Sequence, residues 1–146
     1  MMVDWESDGD VSMAPGSGPE RRFFPRGAVI FKEGGTPDVA FIVESGKVDI
    51  LKSRDGRHIV LGAIPKWGIF GELALLDGKP RMASAIATED TVCLVISRES
   101  VSQLLGNAPR GLTALVHSMA NTLRQSGKDL AEARLKLAET GPGMRN

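Results

Sequence analysis

Gly68-Ile69-Phe70-Gly71-Glu72-Leu73-Ala74-Leu75-Leu76-Asp77-Gly78-Lys79-Pro80-Arg81-Met82-Ala83-Ser84-Ala85 sets a short helix-prone segment, Glu72 to Leu76, between a glycine corner and a Gly-Lys-Pro turn, then runs into a strand of small residues. The first N–H groups of such a helix have no partner inside it and point at an incoming anion. Arg81 follows the turn at the lip of the next strand, where a guanidinium suits bidentate contact with a phosphate. Glu72 does not suit a bare phosphate, because like charges repel; a vicinal sugar hydroxyl would give its carboxylate a donor. An anion clamp with an acceptor beside it describes a phosphorylated ribose better than a free phosphate. A structural ion pair between Arg81 and Glu72 is the alternative reading of the same residues.

Upstream, from Phe23, short β-favouring runs alternate with turns: Ala28-Val29-Ile30-Phe31, then Glu33-Gly34-Gly35-Thr36-Pro37-Asp38, then Val39-Ala40-Phe41-Ile42-Val43. Lys47-Val48-Asp49-Ile50-Leu51-Lys52 alternates polar and apolar residues, giving one wet and one dry face. Asp55-Gly56 between that run and His58-Ile59-Val60-Leu61 is a hairpin signal, since both turn residues tolerate positive φ. With Ala63-Ile64, Ala83 to Ala87 and Val92 to Ile96 the count reaches about seven or eight strands, that of a jelly roll. The predicted fold is mainly β: an eight-stranded jelly-roll β-barrel (a double-stranded β-helix) over 23–97, followed by a short helix and a long C-terminal helix over 98–138.

Ser97 reads as the N-cap of the short helix, with Val101, Leu104 and Leu105 as its buried stripe and Gly106-Asn107 as its stop. In the long helix Leu112, Val116, Met119, Leu123, Ser126, Leu130, Ala133 and Leu137 keep a seven-residue period, the pattern of a coiled-coil seam. The first turns are expected on the domain and the rest on a partner helix, with Arg124, Lys128, Arg134 and Lys136 as a solvated flank. Residues 1–22, rich in Asp, Glu, Ser, Gly and Pro, are expected to form a disordered tail. Gly141-Pro142-Gly143 is expected to stop the helix, leaving 139–146 as a second tail.

The segment over 70–84 resembles the phosphate-binding cassette of the cyclic nucleotide-binding domain family, to which the bacterial catabolite activators and the regulatory subunits of cyclic-AMP-dependent protein kinase belong. Phe70 to Leu76 and Pro80 to Ser84 carry the likeness. It extends to Val29 to Gly35, Ala40 to Val48, Asp55-Gly56 and both helices, covering about Phe24 to Leu137. The resemblance implies that backbone N–H groups at Gly71 and in the Leu73–Ala74 turn hold a cyclic phosphate, with Phe70 opening the cassette. It implies that Arg81 pairs with the exocyclic oxygens, that Glu72 accepts the ribose 2′-hydroxyl, that Ala83 offers an N–H or a close contact, and that Ser126 approaches the base. Where the family often has Ser, Thr or Ala after the Arg, this chain has Met82. A Thr there accompanies cyclic GMP preference, and Met82 cannot make that bond, so cyclic AMP is the expected ligand.

The 146 residues suit one domain, and eighteen Lys and Arg against eighteen Asp and Glu leave no basic excess for nucleic acid or an anionic membrane. The segment from Arg110 onward has six bases and three acids, too little for a groove-reading module. No apolar run approaches a membrane span. Two His cannot build a cupin-type metal site, and Cys93 lies in an apolar run without an activating neighbour, so neither a metal nor an enzyme is expected. The expectation is a cytoplasmic cyclic-nucleotide sensor, a homodimer through its last helix, acting on a protein effector. The alternatives are a ligand-free interaction scaffold of the same fold and the regulatory domain of a larger protein.

Overall fold

Phe41, Val43, Val48, Phe70, Ala85 and Cys93 form the buried core, and each comes from a strand whose side chains alternate between the interior and the surface. The computed structural model describes residues 19–145, with side chains described for 19–139. The strands are β1 (Arg21–Phe24), β2 (Val29–Phe31), β3 (Val39–Ser45), β4 (Val48–Arg54), β5 (Arg57–Ile64), β6 (Ile69–Phe70), β7 (Ser84–Ala87) and β8 (Thr91–Ser97). They pair antiparallel in two four-stranded sheets, ordered β1-β8-β3-β6 and β2-β7-β4-β5, so that most partners are distant in sequence, as in a jelly roll. Phe31, Phe41 and Phe70 meet at centroid distances of 5.3 to 6.3 Å. The fully buried rings, Phe41 and Phe70, each contribute roughly 1.5–3 kcal/mol of transfer free energy, and the partly buried Phe31 less.

Asp55 and Gly56 turn the β4–β5 hairpin with φ of 52° and 75°, as their residue types require. One extra residue on β5, Leu61, interrupts the ladder between the pairs Ile50↔Gly62 and Leu51↔Val60. Ala63-Ile64 is the end of β5 rather than a strand of its own. Cys93 is fully buried, and burial pushes its thiol up to about 12, which keeps it protonated and inert.

Three helices complete the chain: α1 (Glu72–Asp77), α2 (Arg98–Gly106) and α3 (Arg110–Arg145). Ser97 caps α2 by accepting the Ser100 N–H at 3.1 Å, but the expected apolar stripe is not buried: Leu104 is exposed and Val101 and Leu105 are only partly covered. Helix α3 packs on α1, β4 and β5.

Two boundaries differ from the sequence expectation. Strand β1 begins inside the segment expected to be a tail, because Arg21 and Arg22 pair with Leu94 and Cys93 on β8, and the Arg21 guanidinium reaches Glu44 at 2.8 Å. Residues 1–18 of that tail lie outside the described residues. The backbone of α3 continues through Gly141-Pro142-Gly143 to Arg145, beyond the expected stop.

Candidate functional site

The turn after α1 returns the chain to the sheets at Arg81, and neighbouring peptide groups fix that residue. Its N–H donates to Gly35 O at 3.1 Å, and its carbonyl accepts from Gly34 N–H at 2.8 Å. Arg81 is 4 % exposed, with the central carbon of its guanidinium 4.1 Å from the centroid of the Phe31 ring. Nη1 donates to Gly71 O at 2.8 Å, while Nη2 donates to Val39 O at 2.6 Å and Asp38 Oδ1 at 3.2 Å. These bonds use three of the five guanidinium N–H groups. Nε is buried without a partner. Burial lowers the pKa of Arg81, partly offset by Asp38, and the group keeps its charge. Its carboxylate partner is therefore Asp38, not Glu72.

Phe70, Gly71, Glu72, Leu73, Ala74, Arg81, Met82 and Ala83 all line one cavity of about 190 Å³, with Phe31, Ile50, Ile64 and Ile69 as its apolar remainder. Gly71 is the N-cap of α1 with φ of 79°, and a Cβ there would stand 2.8 Å from Arg81 Nη1 and 3.0 Å from Phe31. Glycine is thus required both by conformation and by the close approach of Arg81. No side chain caps α1, so its N-terminal N–H groups are left for other acceptors. Burial raises the Glu72 carboxyl above its ordinary value, with a backbone hydrogen bond acting the other way. A partly desolvated carboxylate beside a buried cation with spare N–H groups can hold an anion and a hydroxyl on one ligand. Among the described residues no group of three or more His, Cys, Asp or Glu side chains is placed to hold a metal ion.

Ser126 is the exception among the expected residues. It is exposed on α3 and does not line the cavity. Its neighbour Gly127 is buried, and a Cβ there would overlap Met82 Cε, with Leu61 Cδ1 at 3.9 Å. The helix meets the cassette through the residue after the expected one, because the face that docks is turned from the apolar seam. Docking also runs further along α3 than expected: Ala120, Ala131 and Leu135 are buried, whereas Leu112 and Leu115 in the first turns are about half exposed (49% and 56%).

Four residues that the motif does not contain also build the site. Phe31 forms the floor under Arg81, and Asp38 shares its guanidinium. Lys52 is 5 % exposed and donates to Met82 O and to Glu33 Oε2. Its position two residues beyond Ile50 and four beyond Val48 on β4 was the available signal, since that parity is the inward one. Arg124, expected on a solvated flank, is instead largely covered and paired with Asp77, with Nε–Oδ2 of 2.5 Å and Nη2–Oδ1 of 2.9 Å.

Comparison with known proteins agrees with this architecture. A family model described as cyclic nucleotide-binding domain matches residues 21–108. The chain is 34% identical over 125 residues to the cyclic AMP receptor protein of Thermus thermophilus, covering 82% of this chain and 58% of that protein. It is 41% identical over 103 residues to a cGMP-dependent protein kinase of Toxoplasma gondii, covering 70% of this chain and 10% of the kinase. Among solved structures, the cAMP-bound form of the EAL enzyme Bd1971 superposes with a TM-score of 0.73 at 29% identity, over 82% of this chain and 32% of that one. A cGMP-bound form of the same enzyme gives 0.68. The chain thus spans only part of each of these relatives.

Proposed function

The chain belongs to the cyclic nucleotide-binding domain family, and we propose that it is a cyclic-nucleotide sensor that prefers cyclic AMP to cyclic GMP and performs no chemistry on the ligand. The carrying observation is Arg81: a buried guanidinium on a cavity wall, with Nε unpartnered and Nη1 held against Gly71 at the uncapped start of α1. In this reading Arg81 and the N–H groups at Gly71, Leu73 and Ala74 take the cyclic phosphate, Glu72 takes the ribose 2′-hydroxyl, and Ala83 packs close to the phosphate. Phe70 is buried beneath the cassette and helps shape the wall. Met82 lies against the base. Its thioether offers guanine's amino group no strong acceptor, which supports the cyclic AMP preference.

Binding then biases α3. The cassette and α3 are in contact, so a ligand that reorders the first favours one seat of the second. The output is a changed α3 surface: Leu112, Met119, Leu123, Leu130 and Leu137 are all exposed. We assign that stripe to a second copy of the chain and the dimer to a protein effector. Nucleic acid and membrane have no part in the proposal, nor does a metal, and its setting is the cytoplasm. Among the described residues no helix is long and apolar enough to cross a membrane.

One observation favours the scaffold alternative: Arg81 already gives three N–H groups to protein acceptors. Its exposed competitor Asp38 is readily displaced, since a surface carboxylate regains water when it leaves. Titration calorimetry of nucleotide-stripped protein with cyclic AMP and cyclic GMP decides between them. Saturable heat at one site per chain, stronger for cyclic AMP and lost in a folded Arg81→Ala variant, is the expected result. No heat from folded wild-type protein would leave the scaffold reading.

A further inference from the structure

The carbonyls of the two residues that flank Arg81 are held by cations that do not touch the cavity. Pro80 O accepts from Arg124 Nη1 at 3.0 Å, and Met82 O accepts from Lys52 Nζ. Each cation is anchored in turn by a carboxylate, Arg124 by Asp77 at 2.5 and 2.9 Å and Lys52 by Glu33 at 3.3 Å. Together with the bonds of Arg81 N–H to Gly35 O and of Gly34 N–H to Arg81 O, the backbone of 80–82 is fastened at four points. Neither Arg124 nor Lys52 lines the cavity.

We propose that Arg124 and Lys52 are positioning residues for Arg81, and that Arg124 is the one through which nucleotide affinity depends on the seat of α3. This rests on the sensor reading above. The two clamps differ in what carries them. Lys52 stands on β4, inside a sheet bonded on both sides by β5 and β7, so its end of the turn is fixed with the sheet. Arg124 stands on α3, joined to the rest of the molecule by side-chain packing rather than by a hydrogen-bonded ladder. A shift of α3 therefore withdraws the donor from Pro80 and the partner from Asp77, while Met82 keeps Lys52. A carboxylate with 7 % of its side chain exposed is costly to leave unpaired, so the cassette and α3 move together. By linkage, whatever holds α3 in place tightens nucleotide binding, and nucleotide holds α3 by the same factor.

Two readouts on the full-length chain separate positioning from plain structural support: cyclic AMP affinity by calorimetry and the thermal midpoint without ligand. Arg124→Ala should weaken affinity by about tenfold or more, the loss of a charge-assisted contact. Arg124→Lys keeps a charge beside Asp77 but lacks the planar fork that reaches Asp77 and Pro80 O at once. It should return the midpoint close to wild type while affinity stays weak. Lys52→Met, which leaves Glu33 with Arg54 at 3.7 Å, should also weaken affinity. Hydrogen exchange divides the two: added cyclic AMP should slow the α3 amides in wild type and Lys52→Met, and not in Arg124→Ala. Wild-type affinity in a destabilised Arg124→Ala would overturn the proposal, as would ligand protection of α3 in that variant. Absence of binding in wild type would instead fell the sensor reading beneath it.

Discussion

Helix α3 carries two stripes offset by one residue, about 100° around its axis, and they are made of different material. The outer stripe is large and apolar: Leu112, Met119, Leu123, Leu130 and Leu137, between 37 and 65 % exposed. The inner stripe is Ala120, Arg124, Gly127, Ala131 and Leu135, three small residues around one arginine with a leucine at its end, and it is the stripe that docks. Small side chains let the helix lie close on the cassette, and Arg124 supplies the polar contacts that the turn carbonyls need. A hydrophobic repeat alone finds the face with most apolar area, which here is the unburied one.

The inner stripe is the more sensitive to substitution. Ala131 is fully buried, so Ala131→Glu places a charge where none can be solvated; a loss of about 3 kcal/mol, or a fall of roughly 10 °C in thermal midpoint, is expected. A midpoint within a degree or two of wild type would mean that this face does not dock. The outer stripe answers in association instead. Leu123→Glu should leave the midpoint of the isolated chain nearly unchanged and convert the proposed dimer to a monomer in sedimentation equilibrium. A persisting dimer would move the interface elsewhere.

Asp77 gives the inner stripe a pH signature. Burial alone would raise its carboxyl, but the Arg124 hydrogen bonds, the Lys79 N–H and both cationic charges outweigh it and hold it below the ordinary carboxylate range. A depressed folded value means that the pair's contribution is fully present above the unfolded value near 3.8 and disappears as pH falls through the lower folded one. Asp77→Asn should therefore be less stable than wild type at neutral pH, with a gap that closes under acid. A gap independent of pH would show that the carboxylate's charge contributes nothing there.

The smallest effect is expected at Gly127. Glycine to alanine inside a helix ordinarily stabilises by about 1 kcal/mol, or roughly 3 °C here. In this chain the new methyl meets Met82 Cε, the far end of a flexible side chain, which must move aside and cancel most of the gain. Gly127→Ala should leave the midpoint nearly level in wild type and raise it in a Met82→Ala background. Equal gains in both backgrounds would show that Met82 does not rest on Gly127.

Much of the two-sheet fold was legible along the chain because its signals are local. Asp55-Gly56 dictates its turn, Ser97 its cap, and the alternation in β4 its inward face. The grouping of Gly71, Glu72, Arg81, Met82 and Ala83 was legible for the same reason, since they lie within thirteen residues and line the same cavity. Ser126 stands exposed and outside the cavity of its own chain because a helix turns 100° per residue and the docked face lies one position on. Lys52 and Arg124 escaped because a lone cation in a strand or helix reads as surface until its partner is known.

The order of residues by itself determined most of the strands, the β4–β5 turn, the cap of the short helix and the set of groups from Phe70 to Ala83 that lines the cavity, because each depends on neighbours a few positions away. Tertiary structure alone decided which stripe of α3 docks, that Arg81 pairs with Asp38 rather than Glu72, and that Lys52 and Arg124 hold the two carbonyls beside it. Those outcomes bring together residues nineteen to forty-seven positions apart, as Glu33–Lys52 and Asp77–Arg124 do, and no local pattern encodes the burial that makes such pairs necessary.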